Sequence, residues 1–221
     1  KLKMDRLEQL NQFKNFIFKK IDISNNEQLS KVFNKFKPDK VINLAAQAGV
    51  RYSIENPFAY MESNIVGFLN IIELCRKNKT QGLIYASSSS VYGGNKKVPF
   101  NVEDRVDNPI SFYAASKKSN ELIANAYSHL YGLHTTGLRF FTVYGPWGRP
   151  DMALYIFTKK ILAQENIPVF NHGNMKRDFT FIDDIINGIK LSIDKNYKCE
   201  LFNLGNHRSE KLLDVIRLIE L

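Results

Sequence analysis

Apolar and polar positions along the chain fall into blocks whose period switches between that of a strand and that of a helix. Phe16–Lys19 is a short apolar run that ends in Asp22-Ile23-Ser24. Over Glu27–Phe36 the residues Leu29, Val32, Phe33 and Phe36 share one helical face, and Pro38 stops the pattern. Lys40–Ala46 reads KVINLAA, the composition of a strand buried on both faces. Pro57 opens a long helical stretch, Phe58–Lys77, with Ile65, Phe68, Leu69, Ile72 and Leu74 among its apolar positions. Gly82–Ser87 (GLIYAS) is a second strand, Phe112–Tyr131 a second long helix and Thr135–Tyr144 (TTGLRFFTVY) the next strand. The chain closes on the amphipathic helix LLDVIRLIEL. Strands alternating with helices of this length predict βαβ units around a parallel sheet. Ligands of open α/β sheets bind at the carboxyl ends of the strands. That rule directs attention to Asp22, Leu44–Gln47, Ser87–Ser90 and Thr142–Tyr144.

Composition narrows the function classes. The 221 residues are 44% hydrophobic and 24% charged, ordinary for a globular chain that can bury a core. Lys+Arg 31 against Asp+Glu 22 leaves +9, a mild excess that suits an anionic small substrate as well as nucleic acid. The basic residues do not cluster with aromatics as base-stacking platforms would, so no nucleic-acid partner is expected. Cys75 and Cys199 make no disulfide framework and sit in no metal-ligand spacing, which points to a reducing, cytoplasmic setting. His129, His134, His172 and His207 are scattered with no i, i+4 pair, so no metal site is expected. No apolar run approaches the roughly 18 residues of a membrane span.

The chemistry concentrates in Tyr113-Ala114-Ala115-Ser116-Lys117. Spacing i, i+4 on a helix puts the phenol and the ammonium on one face, one turn apart. A neighbouring ammonium stabilises a phenolate and makes Tyr113 a usable proton acceptor for a sugar hydroxyl. The pair alone also occurs by chance on many helices. Context sharpens it: Ser87-Ser88-Ser89-Ser90 ends a strand, with Ser88 25 residues before Tyr113. A hydroxyl there can share the substrate oxygen that Tyr113 deprotonates, although a run of serines is also an ordinary loop.

The segments NLAAQAGVRYS, YASSSSVYG, YAASKKSNE, LRFFTVYGPWGRPDMAL and RDFTFIDD, running from Asn43 to Asp184, resemble the extended short-chain dehydrogenase/reductase family of nucleotide-sugar epimerases and dehydratases. Within that family they look like the UDP-glucuronate 4-epimerases. The resemblance implies a Rossmann-like, doubly wound parallel α/β sheet with part of a smaller substrate-binding domain. It divides the chain into a dinucleotide-binding region, 1–145, and a nucleotide-sugar region, 146–221, interleaved with it. It implies NAD as cofactor and a UDP-sugar as substrate, epimerised at C4 through a 4-keto sugar. Ser88, Tyr113 and Lys117 would be catalytic, with Tyr113 taking the proton from the 4-hydroxyl and Lys117 holding the nicotinamide ribose. Asp22 and Ile23 would meet the adenine, and Leu44, Ala45, Ala46 and Gln47 the pyrophosphate and ribose. Phe140 and Val143 would wall the nicotinamide together with Thr142. Asn64 would lie near the cofactor or, equally well, cap a helix or brace the sheet. A homodimer through the two long helices is expected, joined by an isologous contact.

Side chains discriminate among members. The related 4,6-dehydratases carry Asp-Glu just after the catalytic hydroxyl, and the decarboxylases carry a Glu there; this chain has Ser89 and Ser90, lining the substrate. Elimination and decarboxylation therefore lack their acids. Arg149, after Tyr144-Gly145-Pro146-Trp147-Gly148, can grip a uronate carboxylate with two bonds beside Thr142; the alternative is a surface arginine. Arg177-Asp178 resembles the diphosphate clamp, and Arg51 is a further phosphate or carboxylate contact. All 12 glycines lie at or after Gly49, and no GxxGxxG or GxGxxG spacing occurs. That loop seats the pyrophosphate on a helix N-terminus in this family. The expectation is thus an internal piece of a longer epimerase, with an apolar sheet edge left open. Two other readings stay open: a different nucleotide-sugar epimerase or dehydratase, and a non-catalytic dinucleotide-fold sensor or scaffold.

Overall fold

The computed structural model describes residues 1–206 and 208–221; His207, one of the four histidines, lies outside the described residues. In chain order the elements are α1 (Leu2–Asn11), α2 (Asn26–Phe36), β1 (Lys40–Asn43), α3 (Tyr52–Glu55), α4 (Pro57–Tyr60), α5 (Gly67–Lys77), β2 (Gly82–Ser88) and α6 (Phe112–Tyr131). They continue with β3 (Thr135–Phe140), β4 (Thr142–Tyr144), α7 (Ala153–Leu162), β5 (Lys176–Arg177), β6 (Phe179–Phe181), α8 (Ile182–Lys195), β7 (Cys199–Leu204), β8 (Glu210–Lys211) and α9 (Leu212–Glu220).

The residues form two compact units: Ile21–Phe141 with Ile186–Leu204, and Lys1–Lys20 with Thr142–Ile185 and Gly205–Leu221. The sequence sets the division after residue 145. The compact units divide after Phe141, and the segment carrying β7 goes with the sheet because β7 is its fourth strand.

The first unit is a parallel sheet in the order β1-β2-β3-β7, with Ile84 opposite Thr136 and Gly137 opposite Leu201 in register. Leu83, Ile84 and Tyr85 of β2 are buried, as are residues 135–139 of β3, where the apolar and β-branched composition of a strand covered on both faces is interrupted by Gly137 and Arg139. Leu29 and Phe33 of α2, Phe68, Ile71 and Ile72 of α5, Leu83 and Tyr85 of β2 and Ala124 of α6 form one core. The parallel α/β sheet matches the expected Rossmann-like class. β1 is an edge strand of this sheet; Ile42 on it and Leu44 just after it are exposed.

Several boundaries differ from the sequence pattern. Phe16–Lys19 forms no strand. The KVINLAA run leaves the strand after Asn43, whose side chain accepts from the Ala45 N–H at 3.2 Å and turns the chain. Phe58–Lys77 is not one α-helix: α4 passes into a π-helical stretch, Met61–Val66, before α5 begins. A wider turn shifts the face presented to the core, and it carries Asn64 inward. TTGLRFFTVY breaks at Phe141, so that Thr142–Tyr144 pairs with β6 instead of extending the main sheet.

In the second unit β4 and β6 pair in parallel, and β5 and β8 antiparallel. Its core gathers Phe157 of α7 with Leu212 and Ile216 of α9.

Gly137 marks where the sheet is tightest. A Cβ built there would stand 2.6 Å from the Tyr85 hydroxyl oxygen and would also strike Leu201. Gly137→Ala is therefore expected to destabilise the protein by about 1–3 kcal/mol. Urea unfolding measures it; a midpoint equal to that of the parent would contradict this packing.

Candidate active site

The helix α6 is set by its own ends. The Ser111 hydroxyl accepts from the Ala114 N–H at 3.1 Å, and Gly132 closes the helix in the left-handed conformation at φ 66. Tyr113 and Lys117 therefore lie one turn apart near its start. Lys117 is 3% exposed, and its Nζ donates to the Ala86 carbonyl at 2.8 Å, two residues before Ser88 at the end of β2. Burial pushes the ammonium down to about 8. No carboxylate among the described residues forms an ion pair with it. Ser88 is buried; its Oγ accepts from the Ser90 N–H at 3.2 Å and donates to Ser90 Oγ at 3.1 Å. Tyr113 is half-buried and meets Tyr60 edge-on, ring centroids 6.1 Å apart. Lys117 thus ties the helix of Tyr113 to the strand of Ser88.

Of the expected cofactor residues, Leu44–Gln47 follow β1 and Phe140 ends β3, whereas among the described residues no strand precedes Asp22 and Ile23. Asp22 is exposed and accepts from the N–H and hydroxyl of Ser24 at 2.9 and 2.8 Å; the backbone bond, then the hydroxyl, hold its carboxyl below the usual range. Ile23 packs on the core and closes against Gly67. Leu44 and Ala45 are exposed, and Ala46 and Gln47 half-buried. Asn64 is buried and spends its amide internally. Its Oδ1 accepts from Gln47 N at 2.8 Å, and its Nδ2 donates to Gln47 O at 3.0 Å and to Ser116 Oγ at 2.9 Å. Of the two roles open to Asn64, the brace is the one these bonds describe: it fastens Gln47 to α6. Phe140 closes β3.

The remaining candidates belong to the second unit or to loops. Thr142 and Val143 are half-buried on β4. Arg149, expected to face a sugar pocket, has a side chain 44% exposed and forks onto Asp151, with Nε to Oδ1 at 3.0 Å and a second bond to Oδ2. Two residues of separation put that carboxylate within reach of the guanidinium. Arg177 is exposed on β5, while Asp178 accepts from Thr180 Oγ1 at 2.8 Å and Asn206 N at 2.9 Å. Arg51 is exposed at the start of α3. Ser89 and Ser90, half-buried, form a short 3₁₀ turn with Val91 and Tyr92. Among the described residues no group of three or more His, Cys, Asp or Glu side chains is placed to hold a metal. None of their helices is long and apolar enough to cross a membrane.

A parallel α/β sheet with a Tyr-x-x-x-Lys helix over its strand ends defines a Rossmann-type nucleotide-binding enzyme class. The chain belongs to the NAD dependent epimerase/dehydratase family, whose model matches residues 2–205. It is 53% identical to "Protein CapI" of Staphylococcus aureus, over 99% of this chain and 71% of that protein. It is 49% identical to "UDP-glucuronate 4-epimerase 4" of Arabidopsis thaliana, over 90% of this chain and 49% of that protein. Among solved structures it is similar to a UDP-glucuronic acid 4-epimerase from Bacillus cereus in complex with UDP-glucuronic acid and NAD. That match has a TM-score of 0.91 and 34% identity, and covers 99% of this chain and 69% of the other.

The family is NAD-dependent, and the residues here fit a dinucleotide. An ammonium carries three donors and Lys117 is seen to use one, which leaves two for the hydroxyls of a ribose. Leu44 and Ala45 are exposed, and the small side chains of Ala45 and Ala46 admit close approach of a ligand.

The depressed Lys117 has a consequence for stability. Between about 8 and the ordinary lysine value of 10.5, the folded protein releases a proton that the unfolded chain keeps. Stability therefore rises with pH across that window, by up to about 3 kcal/mol. Denaturant unfolding of the parent and of Lys117→Met at pH 7 and pH 10 isolates the effect, since other groups cancel in the difference. The parent should gain on the variant as pH rises; a constant difference would contradict it.

Proposed function

We propose that this protein interconverts UDP-glucuronate and UDP-galacturonate by epimerisation at C4 with NAD. The observation that carries the reading is the buried ammonium of Lys117, without a carboxylate partner, one turn from Tyr113 and bonded to the strand that ends in Ser88. A cation fixed there favours the phenolate of Tyr113, which takes the proton from the 4-hydroxyl and later returns it. Ser88 shares the same substrate oxygen through its hydroxyl, already oriented by Ser90. NAD supplies the hydride acceptor and donor at C4. The hydroxyls of Ser89 and Ser90 provide no acid or base for elimination across C5–C6, which separates this reading from a dehydratase. The similarity to the plant and Bacillus cereus proteins supports the uronate.

Lys117 holds the nicotinamide ribose, Asp22 and Ile23 receive the adenosine end, and Leu44, Ala45, Ala46 and Gln47 approach the pyrophosphate. Asn64 keeps Gln47 in place. Phe140, Thr142 and Val143 flank the nicotinamide. Arg177, Asp178 and Arg51 serve the diphosphate. Arg149 takes the sugar carboxylate in exchange for Asp151, two residues away. The exposed Phe58 and Leu69 on one long helical stretch, and Leu122 and Leu130 on α6, suit a homodimer.

Three outcomes test the reading. Tyr113→Phe should abolish turnover of UDP-glucuronate while leaving NAD bound, and retained turnover would refute the role of Tyr113. Arg149→Ala should lower the ratio of kcat/KM for UDP-glucuronate over UDP-glucose by about tenfold or more, the equivalent of ~1.4 kcal/mol. An unchanged ratio removes Arg149 from substrate selection. Light scattering at micromolar concentration should give a dimer; a monomer alone would remove the helix-paired assembly.

A further inference from the structure

Between α6 and the sheet lies a charged pair that the reaction as proposed does not use. Arg139, next to last in β3, is 1% exposed, and Glu121 is buried on α6, one turn beyond Lys117. They form a two-pronged ion pair, Nε to Oε1 and a second guanidinium nitrogen to Oε2, both at 2.9 Å. Burial alone would raise the Glu121 carboxyl, but the bonds from Arg139 and Ser87 and the charges of Arg139 and Lys118 outweigh it and hold it below the ordinary value. The remaining Arg139 nitrogen donates to the Tyr92 hydroxyl at 3.0 Å, and the Tyr92 hydroxyl donates to Asn203 Oδ1 at 2.7 Å. The pair is thus fixed from β3, β7 and the turn after β2.

What makes it more than an internal ion pair is its third partner. The hydroxyl of Ser87 donates to Glu121 Oε1 at 2.7 Å. Lys117 and Glu121 sit at i and i+4 on α6 and therefore on one face. They grip consecutive residues of one strand: Lys117 the carbonyl of Ala86 and Glu121 the side chain of Ser87. The next residue is Ser88. Two fastenings on successive residues of β2, each from a successive turn of α6, fix the strand end both along and across the helix.

We infer that Glu121 is a positioning residue: clamped by Arg139, it holds Ser87 and so keeps Ser88 in register with the turn of α6 that carries Tyr113. The inference rests on the catalytic reading above for its effect on rate, but its geometric part stands on the contacts alone. Reactive geometry is steep in distance, and a displacement of about 1 Å costs on the order of a hundredfold in rate.

The test uses two variants. Ser87→Ala removes the fastening and leaves the Glu121–Arg139 pair intact. The double variant Glu121→Leu with Arg139→Met replaces the pair by apolar side chains, a change that buried pairs tolerate with little or no loss of stability. The readouts are melting temperature, kcat and KM for UDP-glucuronate, and amide hydrogen exchange at Ser88–Ser90. The expected result is a melting temperature close to the parent's, kcat lower by about 10- to 100-fold with KM little changed, and faster exchange at Ser88–Ser90 in both variants. Ser87→Thr, which keeps a hydroxyl, should recover part of the rate. Unchanged kcat and exchange in Ser87→Ala would overturn the inference, as would rate loss accompanied by an equal loss of stability. If the parent turns over no UDP-glucuronate, the proposed function fails. The exchange measurement then decides the fastening by itself, faster exchange supporting it and unchanged exchange overturning it.

Discussion

A lysine ammonium buried in the protein and bonded to a strand carbonyl is the constraint around which the first unit is arranged. Desolvating Lys117 is costly, and among the described residues no acid forms an ion pair that relieves it. It persists because α6 is fixed at both ends by its caps and along its length by the core beneath it. Seated that way, the helix delivers Tyr113, Lys117 and Glu121 as one stripe against the carboxyl ends of β2 and β3. A buried cation is unfavourable for folding, and one turn from a phenol it is what the proposed proton transfer requires. Sites of function are where such conflicts between stability and chemistry are found.

The brace at Asn64 extends the same logic to the loop after β1. A π-helical turn places one amide where it can bond both backbone groups of Gln47 and the hydroxyl of Ser116. Ser116 lies between Tyr113 and Lys117, so the loop expected to approach the dinucleotide and the helix expected to carry catalysis are joined through a single side chain. Neither can shift without disturbing the other.

Much of this was legible in the sequence, and the limits have physical causes. The helix over Phe112–Tyr131 was readable to the residue because Ser111 and Gly132 are strong local signals at its two ends. The strand GLIYAS was readable because a central parallel strand is apolar on both faces, and KVINLAA was readable only as far as Asn43, where an edge strand turns away. The π-helical turn was not, since one extra residue in a turn leaves apolar spacing nearly unchanged. Nor was the break at Phe141, where TTGLRFFTVY stays apolar while its pairing partner changes from β7 to β6. Arg149 was placed by motif toward substrate, whereas a local turn supplies Asp151 as a competing anion. Glu121 and Arg139 leave only a weak trace in the sequence, a charged residue inside an apolar strand and a Glu four residues after Lys117. Their pairing joins a helix to a strand through the fold, which periodicity does not reveal.

In the proposed reaction the sugar is oxidised and reduced at C4 within one site, with Tyr113 handling the proton and the hydrogen on carbon leaving and returning as a hydride. Elimination or enolisation would expose that hydrogen or its neighbour to solvent. The direct measurement is turnover of UDP-glucuronate carrying deuterium at C4, in ordinary water, with the product analysed by mass spectrometry and NMR. UDP-galacturonate that retains the deuterium at C4, with no solvent hydrogen at C4 or C5, is the predicted result. Loss of the C4 label to water, or exchange at C5, would contradict it.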